Sequence, residues 1–325
     1  YDTKLRSKVI GLTSAAWILP AMVGPVSAAL VHEYIGWRWI FIIQLPLVVI
    51  TYLSVIKALN SGVIEDITNP KQKSVIIPAI SIGVIIAVSS YLLTLESSLI
   101  HLIGALVCVA VAIYIAYQIA PPSIRNKSSS QRPLIVGRGL VHFAFYAADI
   151  FIPLALIRYY EVSPMVAGWI MVVGAIGWTI ASSWVGFTKR PISRITINQI
   201  GAGFVAFGLT LAIVILELGL THWAYIVAWA LIGTGMGLSY NAIAAELMEH
   251  APKAEVGKTS TLAAMSDSLG IIIASGVGGS ILNATTLENA LTYQWLLATF
   301  AAVLLGALAG RSAKSLRSTI TREDG

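Results

Sequence analysis

Polar and ionisable side chains interrupt one otherwise apolar stretch, residues 134–157. The stretch contains Arg138, His142, Tyr146 and Asp149. In an α-helix, with about 100° between successive residues, these four side chains point within about 80° of one another. A charged side chain in the middle of a bilayer costs about 3 kcal/mol or more, so such a face must meet protein or water. We expect it to line a transport pathway, with Asp149 binding a proton or a cation.

The same residues allow a simpler interpretation. Arg138 would extend its guanidinium to the cytoplasmic surface, as long basic side chains do near helix ends. Asp149 would then be a structural hydrogen-bonding group near the outer end of the helix. His142 is a further candidate for proton exchange, because the reference pKa of histidine, about 6.5, is close to physiological pH.

Asp267 is a second acidic candidate inside an apolar stretch, residues 257–283. Leu262 and Leu269 lie on the opposite side of the predicted helix. The residues that share the face of Asp267 are small: Ser260, Ala263, Gly270, Ala274 and Gly278. Small residues allow neighbouring helices to approach closely, so we expect Asp267 to face the bundle. A proton and a cationic substrate that compete for this one carboxylate would be sufficient to couple their movements.

Aromatic and amide side chains within the apolar stretches could line a cavity beside these charges. A desolvated cation over an aromatic face gains about 2 kcal/mol. The cavity candidates are Trp17, Tyr146, Tyr240 and Asn241. Trp178 and Trp229 also lie within apolar stretches, where packing in the core is the simpler expectation.

Catalytic and metal-binding patterns are not evident. Glu246, Glu249 and His250 lack the spacing of metal ligands. The glycine run at residues 233–237 lies within an apolar stretch and follows no strand, so it favours close packing over nucleotide binding. We therefore expect no metal, no cofactor and no enzyme activity.

The composition requires that the apolar stretches be membrane spans. Hydrophobic residues make up 57% of the 325 residues and charged residues 11%, whereas about a quarter of the residues in a soluble domain are charged. A helix of about 20 apolar residues crosses a bilayer. The sequence therefore predicts an all-α membrane protein of about ten spans, over residues 8–30, 39–59, 74–94, 99–119, 134–157, 165–187, 195–216, 222–245, 257–283 and 291–311.

The basic residues predict the orientation of these spans. With the N-terminus of the chain in the cytoplasm, the cytoplasmic segments contain all of its 21 lysines and arginines except Arg38, Arg138 and Arg158. Cytoplasmic loops are enriched in basic residues. We expect a multi-pass protein of the cell membrane with both ends of this chain in the cytoplasm. The net charge of +6 then reflects contact with anionic lipid and does not require nucleic acid as a partner.

Two segments near the start of the chain resemble signatures of a known family. Glycine, proline and small residues of the first span resemble the antiporter signature of the major facilitator superfamily: Gly11, Gly24, Pro25, Ala28 and Ala29. The segment that follows resembles the start of the sixth helix in the fourteen-helix drug:proton antiporter branch of this family, in the residues Trp37, Arg38, Trp39 and Pro46. Residues 163–168 and 233–237 resemble a conserved helix start and the glycine-rich tenth core helix of the family.

The resemblance implies a domain organisation and a partial major facilitator fold. Residues 1–59 would be the last two helices of the N-terminal half, residues 60–119 two additional linking helices, and residues 134–325 the six helices of the C-terminal half. Residues 120–133 have the paired prolines and the serine run of an exposed cytoplasmic linker. About four helices of the N-terminal half would then precede this sequence.

The resemblance also implies a function, the proton-coupled efflux of small lipophilic or cationic compounds by a multidrug-type antiporter. Two helical halves would rock around a site near the membrane midplane. The partners would be a small-molecule substrate, protons and the lipid bilayer. Two alternatives stay open. One is a facilitator-family transporter of a metabolite, by uniport or symport. The other is a nonfunctional fragment or an accessory membrane subunit.

Overall fold

The chain divides into two compact units, residues 1–77 and 78–325. The computed structural model describes residues 20, 23–24, 26–60, 76–95, 99–126, 129, 131–187 and 192–323, which are helical with short connections and contain no strand. Seven helices in this described part are long and apolar enough to cross a membrane. The prediction of an all-α membrane protein is therefore confirmed.

The first unit contains three described helices. They are α1 (residues 26–34), α2 (Arg38–Ile42) and α3 (Gln44–Asn60). Gly36, between α1 and α2, has a φ of +106°, a left-handed conformation that glycine adopts at little cost. No residue is buried in the apolar window Arg38–Lys57, and an apolar surface of this kind suits contact with lipid.

Some residues of the antiporter-like signature are outside the described part of the chain, namely Gly11 and Pro25, and so is the cavity candidate Trp17. Gly24 is helical, and its carbonyl accepts a hydrogen bond from the Ser27 hydroxyl at 3.0 Å. Trp37 and Trp39 are exposed. The guanidinium carbon of Arg38 lies 4.7 Å from the centre of the Trp37 ring. Pro46 lies in the first turn of α3.

The remaining described helices follow one another with short connections and belong to the second unit, apart from the first two residues of α4. They are α4 (Ile76–Thr94), α5 (Leu99–Ile119), α6 (Pro122–Arg125), α7 (Gln131–Arg158), α8 (Pro164–Phe187), α9 (Arg194–Glu217), α10 (Tyr225–Glu249), α11 (Val256–Ala284) and α12 (Leu287–Glu323). Their bounds follow the predicted spans with two exceptions: α6 lies in the predicted linker, and α12 continues to Glu323, beyond the predicted end at residue 311.

Helices α7 to α12 form a bundle with one main core. Helix α10 packs between α8 and α9, α11 packs along α7, and α12 contacts both α7 and α9. The glycines of α10 explain its central position: a Cβ atom on Gly233 would overlap the backbone of Gly174 in α8, and one on Gly235 would overlap the carbonyl oxygen of Gly201 in α9. The run at residues 233–237 is therefore a packing surface.

A second apolar cluster covers the side of α11 that faces away from Asp267. Leu262 and Met265 of α11 are buried there against Ile82 of α4 and Ala112 of α5. Ile124 of α6 belongs to the same cluster, with an exposed fraction of 4%.

The linker at residues 120–133, which its composition indicated to be exposed, is buried in part: within α6, Ile124 is buried, whereas Pro122 and Arg125 are exposed. The backbone N–H of Ser123 donates to Glu255 at 3.3 Å, and Arg132 Nε donates to the carbonyl of Ile124 at 2.7 Å. The apolar side chain of Ile124 and these hydrogen bonds hold the segment against the bundle. The linker composition of prolines and serines did not reveal this.

Candidate functional site

The site is built where α7 and α11 approach each other closely. A Cβ atom on Gly270 of α11 would overlap the carbonyl oxygen of Gly139 in α7. On the same surface, the hydroxyl of Ser266 donates to the carbonyl of Ile135 at 2.6 Å. Because the two backbones are this close, the side chains next to Gly139 and Ser266 meet. These neighbours are Arg138 and Asp267.

Arg138 and Asp267 form a bidentate ion pair. Arg138 Nε donates to Asp267 Oδ1 at 2.7 Å, and Arg138 Nη2 donates to Asp267 Oδ2. The exposed fractions of the two side chains are 7% and 15%. A buried charge pair of this kind requires good geometry, because both groups lose their water. The simpler interpretation, in which Arg138 extends to the cytoplasmic surface, does not describe this structure, because the guanidinium is buried and pairs with Asp267.

His142 lies one helical turn after Arg138 and contacts the same carboxylate. Its Nδ1 atom is 2.8 Å from the carbonyl oxygen of Arg138 and 3.3 Å from Asp267 Oδ1. Both neighbours are hydrogen-bond acceptors, so Nδ1 must carry a hydrogen atom. The second nitrogen, Nε2, is then the atom on which a further proton would bind.

Tyr240 brings α10 into the site. The guanidinium carbon of Arg138 lies 4.4 Å from the centre of the Tyr240 ring, within the range of a cation–π contact. The ring of His142 meets Tyr240 edge-on at 5.5 Å and stacks with Tyr146 at 6.1 Å, measured between ring centres. Trp178 of α8 contacts Tyr240 edge-on at 6.4 Å. Tyr240 therefore contacts both Arg138 and His142, Tyr146 stacks with His142, and Trp178 supports the ring of Tyr240.

Asp149 lies apart from this cluster. It is half-buried in α7, seven residues and therefore about 10 Å along the helix from His142. In the part of the chain that the structure describes, no hydrogen bond or ion pair reaches its carboxylate. The four polar residues predicted to share a face of α7 are thus divided between one paired cluster and one separate acid.

Two other candidates have structural contacts. The amide of Asn241 donates to the Ser182 hydroxyl at 2.8 Å and to the carbonyl of Gly237 at 2.9 Å, which ties α10 to α8. Trp229 has an exposed fraction of 2%, and its indole N–H donates to the carbonyl of Met171 at 2.8 Å. Trp229 is therefore a core residue, as its position in an apolar stretch indicated.

Sequence reasoning missed Gly139 and Ser266, which bring α7 and α11 together. The signal for Gly139 was its place directly after Arg138 in a helix of apolar residues, where a glycine often marks a close helix contact. Among the described residues, no group of three or more His, Cys, Asp or Glu side chains could hold a metal ion.

Comparison with known proteins identifies the class. The sequence profile of the Major Facilitator Superfamily matches residues 1–275 and residues 134–319 of this chain. The chain therefore belongs to the Major Facilitator Superfamily, a family of membrane transporters, and it is an integral membrane protein. The fold resembles the crystal structure of a bacterial homologue of iron transporter ferroportin in inward-facing state, with a TM-score of 0.50, 15% identity, and coverage of 72% of this chain and 60% of that one.

Three curated relatives are all named as transporters or efflux pumps, and two of the names refer to different substrates. The chain is 26% identical to the MFS-type transporter ppz2 of Metarhizium majus, over 74% of this chain and 44% of the relative. It is 20% identical to the multidrug efflux pump SdrM of Staphylococcus aureus, over 86% and 63%. It is 23% identical to the riboflavin transporter RibZ of Clostridioides difficile, over 71% and 51%. The chain thus spans about half to two thirds of the length of these relatives.

Proposed function

We propose that this protein exports small lipophilic or cationic compounds across the cell membrane in exchange for protons. The observation that carries the proposal is the buried ion pair of Arg138 and Asp267, with His142 against the same carboxylate. Ionisable groups inside a membrane-spanning bundle are costly and rare, and they mark ion and substrate pathways.

Asp267 is proposed as the carboxylate that exchanges a proton for a cation. A proton on the carboxylate removes its negative charge, and a bound cation requires that charge. The two occupants therefore exclude each other. The Asp267 side chain has an exposed fraction of only 15%, so water solvates and screens the carboxylate poorly. Binding of a proton or of a cation therefore strongly opposes binding of the other.

His142 is proposed to pass protons to and from Asp267. Its Nδ1 atom, which is 2.8 Å from the carbonyl oxygen of Arg138, lies 3.3 Å from Asp267 Oδ1, and its Nε2 atom can accept a proton. An imidazolium beside Asp267 would compete with Arg138 for the carboxylate. Asp149, which has no ion-pair partner among the described residues, is proposed as a second acid that attracts cations along the same helix.

Two relatives support different substrates. One is named a multidrug efflux pump, and another is named a riboflavin transporter. The second candidate function is therefore uniport or symport of a metabolite. Export by exchange and uptake by symport differ in the direction in which a proton gradient drives the substrate, so one assay separates them.

The test is efflux of a fluorescent lipophilic cation from bacterial cells that lack their own exporters, with and without a protonophore. We expect protonophore-sensitive efflux with the unchanged protein. Asp267→Asn should reduce it to the background of cells without the protein, and Asp149→Asn should reduce it in part. Glu249→Gln, which makes the same chemical change at an exposed acid, is the matched control and should leave efflux intact.

Undiminished protonophore-sensitive efflux by Asp267→Asn would end the proposed role of this carboxylate. Accumulation of a substrate driven by an inward proton gradient would identify symport instead. Equal efflux with and without the protein would contradict export altogether.

A further inference from the structure

Arg138 occupies both surfaces that a cation would use in the candidate site. Its Nε and Nη2 atoms donate to the two oxygens of Asp267, and its guanidinium carbon lies 4.4 Å from the centre of the Tyr240 ring. The residue has an exposed fraction of 6%. While Arg138 is in this position, another cation can reach neither the carboxylate nor the face of the ring that Arg138 covers.

We propose that Asp267 and Tyr240 form a recognition site for planar amidinium and guanidinium cations, which Arg138 occupies until such a cation replaces it. For transport, this inference rests on the function proposed above and names its substrate class. Binding itself requires no proton gradient. It can therefore be measured separately.

The shape of the site determines which cations fit. A guanidinium is planar, offers parallel N–H donors that match the two oxygens of a carboxylate, and stacks on aromatic rings. An aryl amidinium has the same fork of N–H donors. A quaternary ammonium ion has equal charge but no N–H group, so both oxygens of Asp267 would lose a donor on exchange. The site should therefore distinguish cations by their donors as well as by their charge.

Exchange of one cation for another keeps Asp267 paired throughout. A buried carboxylate without a partner is strongly unfavourable, whereas replacement of one planar cation by another leaves its charge compensated. Arg138 lies seven residues after Gln131, the first residue of α7, which is about 10 Å along the helix. A long basic side chain at this depth can extend to the nearby helix end when it is displaced.

The experiment measures binding of benzamidinium and of benzyltrimethylammonium to the purified full chain in detergent, by isothermal titration at one pH. In Arg138→Ala the resident cation is absent, so benzamidinium should bind about tenfold or more tightly than to the unchanged protein. Benzyltrimethylammonium has an aromatic ring and the same charge, and its affinity should change by less than about twofold. Adding Asp267→Asn to Arg138→Ala should remove the gain for benzamidinium.

Arg138→Lys covers the case in which the alanine variant does not fold. It keeps a buried positive charge but lacks the planar fork, so benzamidinium should displace lysine more easily than arginine and show a smaller gain. The inference is wrong if both cations gain equally, if neither variant changes benzamidinium affinity, or if the gain survives Asp267→Asn. Amidinium-selective binding without proton-driven efflux would contradict the proposed function alone. Proton-driven efflux with no preference between the two cations would contradict this inference alone.

Discussion

Two clusters of ionisable side chains in the same bundle differ in burial. Arg138 and Asp267 lie between α7 and α11 with exposed side-chain fractions of 7% and 15%. Arg194 and Glu249 pair where α9 begins and α10 ends, with exposed fractions of 38% and 62%.

Each cluster has a histidine beside a carboxylate: His142 beside Asp267, and His250 beside Glu246, which also lies 3.9 Å from Arg194 and has an exposed fraction of 14%. The residue types are similar, so what separates the two ion pairs is the burial of the arginine and of its nearest carboxylate.

Burial changes what each cluster can do. Water and salt screen an exposed pair, so it contributes little to stability and exchanges its partners readily. A buried pair is held by a strong local field, and removal of one member leaves a charge without compensation. We therefore expect the α7–α11 cluster to control folding and function, and the α9–α10 cluster to have small effects on both.

The largest effect should come from breaking the buried pair. Asp267→Asn removes the carboxylate from the buried Arg138 guanidinium, which then either stays buried without compensation or leaves its packed position. In both cases stabilising contacts are lost, and we expect the free energy of unfolding to fall by about 3 kcal/mol. The measurement is thermal or denaturant unfolding of the purified protein in detergent.

The double variant Arg138→Gln with Asp267→Asn tests whether this loss comes from the uncompensated charge. Two neutral amides can bond to each other, so most of the stability should return, while proton-coupled efflux should stay absent. A double variant no more stable than Asp267→Asn would show that packing, and not charge, explains the loss.

An intermediate effect should come from moving α10 without changing any charge. Gly233→Ala places a Cβ atom against the backbone of Gly174, and overpacking of this kind costs about 1–3 kcal/mol. Gly203→Ala in α9 is the matched control, because a Cβ atom there has no neighbour within 4 Å. Because alanine has a higher helix propensity than glycine, the Gly203→Ala protein should be as stable as the unchanged protein or up to about 1 kcal/mol more stable. Equal unfolding temperatures for the two variants would mean that α8 and α10 are not in close contact.

The smallest effect should come from the exposed pair. Glu249→Gln removes the nearer of the two carboxylates that lie beside Arg194 and leaves Glu246 in place, so the free energy of unfolding should change by less than about 1 kcal/mol. The difference should shrink further at high salt, because exposed charges are screened. A loss as large as that of Asp267→Asn would remove the distinction between the two clusters.

The helices and the inward position of the charged residues could be read from the sequence. Apolar stretches of about 20 residues predict the spans, because a segment of this length crosses a bilayer as a helix. In a helix, the backbone N–H and C=O groups hydrogen-bond to each other and need no water. The small residues around Asp267 indicated a helix contact, and Ala263, Gly270 and Ala274 are indeed buried on that face. The burial of Ala120, Pro121 and Ile124 was not predicted, because the proline- and serine-rich composition of the linker indicated exposure throughout.

The partners of the charged residues could not be read in this way. Arg138 and Asp267 are separated by 129 positions, and no periodicity along either helix specifies how two helices meet. Asp149 looked equivalent to Arg138 and His142 on the helical face, yet only the latter two contact Asp267.

The sequence by itself determined that this chain is a bundle of membrane helices with ionisable groups kept from lipid, because hydropathy and helical periodicity act locally. Tertiary structure decided that Arg138, His142, Tyr240 and Asp267 form one site. The contact depends on the close approach of α7 and α11 at Gly139 and Gly270 and on the rotation of α10, and these are set by packing among several helices at once.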